Sequence, residues 1–234
     1  MAEQLSFPLP RKTSYAPEDF YPGLASAVAR EMLADPGAWP RGKLILLGPE
    51  RSGKTHLLRI WAEQQGGAMM AVNALSARAR TPIAIDNASD VAGNREAETR
   101  LFHLHNNLAA AGLPLLLAAR HPPQRWGIGL PDLASRLEAA ATATIEPPDD
   151  GTLRAILLKL MADRQLNPAP NLAAYIEKRM ARTYLEAERI VSRLDALSLS
   201  ERREITTKLA GRILDDTETP IDTSASYPLG RKDE

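Results

Sequence analysis

Residues 48–55 read Gly-Pro-Glu-Arg-Ser-Gly-Lys-Thr, which satisfies the spacing G-x-x-x-x-G-K-[S/T]. Each residue type has a task in binding an anion. Gly48 and Gly53 let the backbone turn across Pro49, Glu50, Arg51 and Ser52, so that successive N–H groups face one point. Lys54 is placed to reach the β- and γ-phosphates of a nucleotide, and the Thr55 hydroxyl to take a Mg²⁺ ion. His56 follows within the first turn of the expected helix, whose N-terminal amides favour negative charge. The alternative is a glycine-rich turn of no consequence. An apolar run before the motif and a helical pattern after it are the context that favours phosphate.

A second acid belongs to the same chemistry. Asp86 closes the apolar run Pro-Ile-Ala-Ile-Asp at 82–86 and is a Mg²⁺ anchor acting through water. Alone it would read as a turn or helix-capping aspartate; beside the phosphate motif the metal role is favoured. Asn87 stands next, where many nucleoside triphosphatases of this type carry an acid that activates water. An amide orients a water but cannot accept its proton. The pair Asp86 and Asn87 therefore predicts ATP or ADP binding with weak intrinsic hydrolysis.

The elements that must position these residues follow from hydrophobic patterning. Apolar runs at 43–48, 68–72, 82–86, 113–119 and 141–147 alternate with helical patterns at 25–33, 54–64, 94–111 and 130–140. Strands alternating with helices predict an α/β fold, a parallel sheet flanked by helices. After Pro147 and Pro148 no strand signal appears. Helical stretches broken near Pro168, Arg182 and Leu199 predict a small all-α lid domain, whose core stripe is Leu153, Ile156, Leu157 and Leu160. The expected layout is an extended arm at 1–12, an α/β nucleotide-binding domain at 13–148, a helical lid at 149–214 and a disordered tail at 215–234 rich in Asp, Thr, Ser and Pro.

Composition narrows the classes. Lys+Arg and Asp+Glu both number 29, so the formal net charge is zero and a general grip on nucleic acid is not expected. Without cysteine there is no disulfide, thiolate metal site or cysteine nucleophile, which fits a cytoplasmic protein. The run at 113–119 is too short to cross a bilayer, and no signal peptide is recognisable, so no membrane partner is expected. His103 and His105 point to different sides of a helix and are not a shared metal site. Arg11-Lys12 and Arg202-Arg203 are too sparse for a nucleic-acid patch. The N-terminal stretch Gln4-Leu5-Ser6-Phe7-Pro8-Leu9 cannot be helical, because Pro8 and Pro10 lack N–H donors and hold their predecessors extended. It is either loosely packed or a peptide that another protein reads.

Taken together, the phosphate motif, Ile85-Asp86-Asn87, Gly129-Leu130-Pro131-Asp132-Leu133-Ala134-Ser135-Arg136-Leu137-Glu138 and the helical segment after Glu146-Pro147-Pro148 resemble the AAA+ module of the DnaA-related family. Within it the chain is most similar to the regulatory inactivators of DnaA, the Hda type, over roughly residues 4–214. That resemblance implies a sliding-clamp-binding peptide at Gln4, Leu5, Ser6, Phe7, Pro8 and Leu9, with the β subunit of DNA polymerase III as partner. It implies that Arg136 is an arginine finger acting in trans on DnaA-bound ATP, although an isolated arginine there would pair with Asp132 or Glu138. It places the adenine near Pro22 and Gly23 in the Phe-Tyr-Pro-Gly turn. A homodimer is compatible with it, and direct DNA contact is expected to be weak at most. The expected absence of a helix-turn-helix domain after the lid and the short segment 73–80 separate it from initiators. Two positions depart from the initiator pattern. The lid "sensor II" position falls on Leu185, with Arg182 or Arg189 as substitutes on the same helical face, and Arg120 stands at the sensor I position. The other reading is an autonomous AAA+ ATPase, such as a DnaC-like helicase loader or a DnaA paralogue acting at the origin.

Overall fold

The computed structural model describes residues 26–201 and 205–215. The expected arm at 1–12, Pro22 and Gly23, Arg202-Arg203 and the tail from 216 therefore lie outside the described residues, whereas Asp215 closes the last helix. Those described divide into two compact units, 26–152 with 183–185, and 153–182 with the remainder from 186.

In the first unit five parallel strands are β1 (Lys43–Leu47), β2 (Ala68–Met69), β3 (Ile83–Ile85), β4 (Leu115–Ala119) and β5 (Ala141–Thr144), in the order β2-β3-β4-β1-β5. Helices α1 (Ala27–Ala34), α2 (Lys54–Gln64), α3 (Arg95–Ala110) and α4 (Pro131–Glu138) accompany them. The expected α/β class is the one found. The central strands β1, β3 and β4 are almost wholly apolar because both their faces are covered, whereas the edge strands β2 and β5 are partly exposed. Alternation then divides the side chains. Ile45, Ile83, Ile85, Leu115 and Leu117 pack with Leu101, Leu104 and Leu108 of α3 and Leu133 and Leu137 of α4. Leu44, Leu46, Leu116 and Ala118 pack on the other side with Leu57, Leu58 and Trp61 of α2. Full burial of each large aliphatic side chain contributes about 1.5–3 kcal/mol, so these two layers supply most of what holds the unit together. Trp39 stacks on Trp61 with ring centroids 5.5 Å apart, closing that layer at one edge.

The strands are shorter than the apolar runs suggest, β5 ending at Thr144 and β3 spanning only Ile83–Ile85. β2 pairs only through Ala68↔Ile83 and Met69↔Ala84, since its partner β3 spans three residues, and the chain turns at Val72–Ala74 instead of continuing to Val72 as strand. β4 begins at Leu115 because Pro114 has no N–H for a ladder. The carbonyl of Leu113 is used elsewhere, accepting from Lys43 Nζ at 3.1 Å. Helix α3 starts where the Asn94 side chain accepts from Glu96 N and Ala97 N, both at 3.1 Å.

His105 of α3 is buried while His103 is exposed, so the two do face apart. Burial, and then the nearby positive charge of Lys43, lowers the His105 pKa to about 4, with Arg136 and Arg41 acting in the same sense and Asn106 opposing. The folded chain thus binds fewer protons than the unfolded one between about pH 4 and 6.5. Stability should be fully present above pH 6.5 and fall as the pH drops toward 4, by at most about 3 kcal/mol. Denaturant melts at pH 4.5 and 7.5 check this: His105→Gln should flatten the difference, and an unchanged difference would assign it to other groups.

The second unit is all-α. It holds most of α5 (Asp150–Asp163), α6 (Leu172–Glu177), most of α7 (Tyr184–Glu201) and α8 (Thr207–Asp215). Leu153, Leu157 and Met161 follow one stripe of α5 and are buried with Leu172, Ile176, Ile190, Val191, Leu194 and Ile213; Ile156 and Leu160 flank them half-buried. Because α7 begins at Tyr184, Arg182 precedes the helix and does not share a helical face with Arg189, which corrects the sequence expectation. Thr183, immediately before α7, is a residue type that favours starting a helix.

Candidate functional site

Sheet order decides where a ligand fits. The neighbours of β1 are β4 on one side and β5 on the other, so the chain leaves β1 toward strands that lie beyond β4. Such a switch point opens a crevice at the carboxyl ends of the strands, and residues 48–55 occupy that end of β1.

The loop is shaped by its residue types. Gly53 has φ 89° and stands immediately before α2, a backbone conformation that only glycine adopts freely. Arg51 also lies in the left-handed region, φ 63°. A Cβ on Gly48 would come within 2.8 Å of Ser52 Oγ and 3.1 Å of Ile145 Cβ, so a larger residue there would push Ser52 and Ile145 aside. The first turn of α2 has no side chain capping it, which leaves backbone N–H groups for an anion. Ser52 Oγ is buried and has no hydrogen-bond partner among the described residues. An orphaned buried hydroxyl, a tight glycine turn crowded against Ser52 and Ile145, and an uncapped helix start together fit a phosphate group.

Lys54 supplies the charge. Its side chain is buried, and Nζ donates to the carbonyls of Gly48 at 2.8 Å and Pro49 at 2.7 Å. Desolvation lowers its pKa, Asp86 and Glu50 oppose that, and Arg120 adds to it. A buried ammonium held only by neutral carbonyls is poised for an anion, whose charge would offset the desolvation. The Thr55 hydroxyl donates to Asp86 Oδ2 at 2.5 Å, and Asp86 Oδ1 accepts from Asn87 N at 2.9 Å. The structure thus brings the two expected Mg²⁺ residues together across 31 positions of sequence. A hydroxyl and a carboxylate are hard oxygen donors, the kind Mg²⁺ takes while keeping several waters. Bound there, Mg²⁺ would neutralise phosphate charge. Asn87 is exposed with φ 48°, a conformation asparagine tolerates better than glutamate, so its presence also has a backbone reason. His56 lies half-buried in the first turn of α2.

Arg136 stands on α4, half-buried, with its guanidinium carbon 5.2 Å from the centroid of the Phe102 ring. It makes no ion pair among the described residues, so the expected alternatives, Asp132 and Glu138, do not hold it. The helix carrying it is fixed by a residue the sequence reading missed. Glu98 is 1% exposed and accepts from Gly93 N at 3.2 Å, Gly129 N at 3.0 Å and Leu130 N at 2.9 Å. Leu130 immediately precedes α4, so the buried carboxylate ties down the backbone that leads into that helix. Among Arg95, Glu96 and Arg100 it reads in sequence as one more solvated charge; only its burial reveals it.

Arg120 stands at the expected sensor I position, where it departs from the initiator pattern. It follows β4 and pairs with Glu50 of the loop, Nη1 to Oε2, at 3.0 Å. In the second unit Arg189 pairs with Glu186 at 3.7 Å, Arg182 is exposed, and Leu185 of the first unit is 43% exposed. No group of three or more metal-ligating side chains gathers among the described residues, nor is any described helix long and apolar enough to cross a membrane.

A parallel sheet ordered β2-β3-β4-β1-β5, with a phosphate loop after β1 and an aspartate ending the β3 run, is the fold seen in AAA+ modules. No protein-family model matches the chain. Among solved structures it is similar to domain III of the replication initiation protein DnaA from Thermotoga maritima, at 20% identity over 91% of this chain and 100% of that one, TM-score 0.74. It is also similar to AMPPCP-bound DnaA from Aquifex aeolicus, at 18% identity over 87% and 69%, TM-score 0.68. The Thermotoga maritima RuvB Holliday junction branch migration motor follows at 18% over 82% and 66%, TM-score 0.59. These likenesses are of fold, and they span both an initiator and a motor.

Proposed function

We propose that this chain is a nucleotide-dependent regulator of chromosomal replication initiation, of the type that inactivates DnaA. It binds ADP or ATP with Mg²⁺ at residues 48–56 and Asp86, docks on the DNA polymerase III sliding clamp through Gln4, Leu5, Ser6, Phe7, Pro8 and Leu9, and presents Arg136 to DnaA-bound ATP. Hydrolysis there would leave the initiator inactive and prevent a second firing. The observation that carries the reading is the buried Lys54 beside the Thr55–Asp86 pair, in a fold similar to DnaA domain III. The chain's own residues support binding more than turnover, because Asn87 cannot take a proton from water. Arg182 as a lid contact to nucleotide, a role for Pro22 and Gly23 at the adenine, and homodimerisation belong to the same proposal.

The likeness to a branch migration motor favours a second reading, an autonomous AAA+ ATPase such as a helicase loader or an origin-acting paralogue. Purified chain mixed with clamp and with replicative helicase separates the two. The regulator reading expects capture of clamp, lost when residues 4–9 are deleted. Capture of helicase alone, or brisk ATP turnover by the isolated chain, would favour the second.

A further inference from the structure

In the register β1 to β4, Leu47 lies opposite Ala119, so Arg120 leaves its strand level with Gly48 at the start of the phosphate loop. From there its guanidinium reaches Glu50, inside that loop, at 3.0 Å. The two side chains are 55% and 41% exposed. An ion pair this wet is worth at most about 1 kcal/mol, and a single Nη1 contact leaves most of the five guanidinium donors uncommitted. Both charges are felt at the phosphate-binding lysine, Glu50 favouring its charged form and Arg120 opposing it. The loop therefore carries a carboxylate and a cation beside the place where phosphates gather, each neutralising the other.

We propose that Glu50 restrains Arg120 and thereby sets the preference of this site between nucleoside diphosphate and triphosphate. This rests on the nucleotide-binding reading of residues 48–55. A diphosphate is satisfied by Lys54 and the loop amides while the Glu50–Arg120 pair stays closed. A third phosphate brings more negative charge than a carboxylate and accepts two guanidinium N–H groups at once, so it competes for Arg120. Taking it means breaking the pair and leaving the Glu50 carboxylate unpaired beside added phosphate charge. Only that differential interaction can shift the ligand preference. The arrangement biases the loop toward the diphosphate, and the weakness of the pair makes the exchange reversible.

The test is calorimetric titration of the full chain with ADP and with a non-hydrolysable ATP analogue, in Mg²⁺, for wild type, Glu50→Gln, Arg120→Gln, the double variant and Lys54→Ala. Glu50→Gln should tighten the analogue by about threefold to tenfold and ADP by less than about twofold. Arg120→Gln should weaken the analogue selectively, and the double variant should lose the gain. Equal tightening of both ligands, or a gain that survives in the double variant, would overturn the proposal. Failure of the underlying site looks different: wild type would bind neither nucleotide, and both readings fall. If wild type binds and Lys54→Ala does not, while Glu50→Gln leaves the ratio unchanged, only the proposal about Glu50 and Arg120 fails.

Discussion

Arg136→Ala is expected to lower the stimulated hydrolysis of DnaA-held ATP by about 10³–10⁵-fold, or about 4–7 kcal/mol of barrier. The size follows from the chemistry. Charge spreads over the transferred phosphoryl oxygens in the transition state, and a guanidinium delivered by another molecule stabilises charge that water would otherwise have to reorganise around. The same substitution should hardly disturb the fold. Arg136 is half-buried and its recorded neighbour is the Phe102 ring, a contact worth about 0.5–1 kcal/mol at such exposure. Nucleotide affinity and clamp capture should stay at wild-type levels, and Tm should shift by only a few degrees. Arg136→Lys keeps the charge but loses the planar fork, and should recover a fraction of the rate. Single-turnover hydrolysis of labelled ATP pre-bound to DnaA measures all of this. Wild-type stimulation by the alanine variant would remove Arg136 from the account.

Lys54→Ala is expected to weaken nucleotide binding by about 10²–10³-fold. Its ammonium is buried and already gathered against the loop by two carbonyls, so little ordering remains to be done on binding. Truncating a buried, charge-assisted partner of an anion costs about 2–5 kcal/mol. Removing the side chain also leaves the carbonyls of Gly48 and Pro49 without their donor, so part of the loss is loop disorder. Lys54→Arg separates the two contributions, since it keeps charge in a space shaped for a slender ammonium. Near-normal affinity in Lys54→Ala, read by titration with ADP, would mean that the nucleotide binds elsewhere.

Much of this site was legible because its information is local. Residues 48–55 carry their own turn chemistry, and the apolar run ending at Asp86 marks a strand whose carboxyl end faces a crevice. That Thr55 and Asp86 would meet follows from strand order, which a motif implies only through the fold it belongs to. The strand ends were less legible. The short β3 partner truncates β2 at Met69, and Pro114 delays β4, although both stretches continue apolar. Arg182 and Arg189 were counted on one helical face although a break was already expected near Arg182; the helix starts between them, at Tyr184. Glu98, and the Glu50 partner of Arg120, were hidden for one physical reason. Charged residues in sequence carry no sign of burial or of a distant partner, and Glu98 gains its role from Gly129 and Leu130 as Arg120 gains its partner in Glu50.

The most direct measurement is the fate of ATP bound to DnaA when the full chain and DNA-loaded clamp are added together. The account predicts fast conversion to ADP, dependent on the clamp and on residues 4–9, with ADP rather than fresh ATP sufficing as the nucleotide on this chain. Conversion at the same slow rate with and without the chain would contradict it.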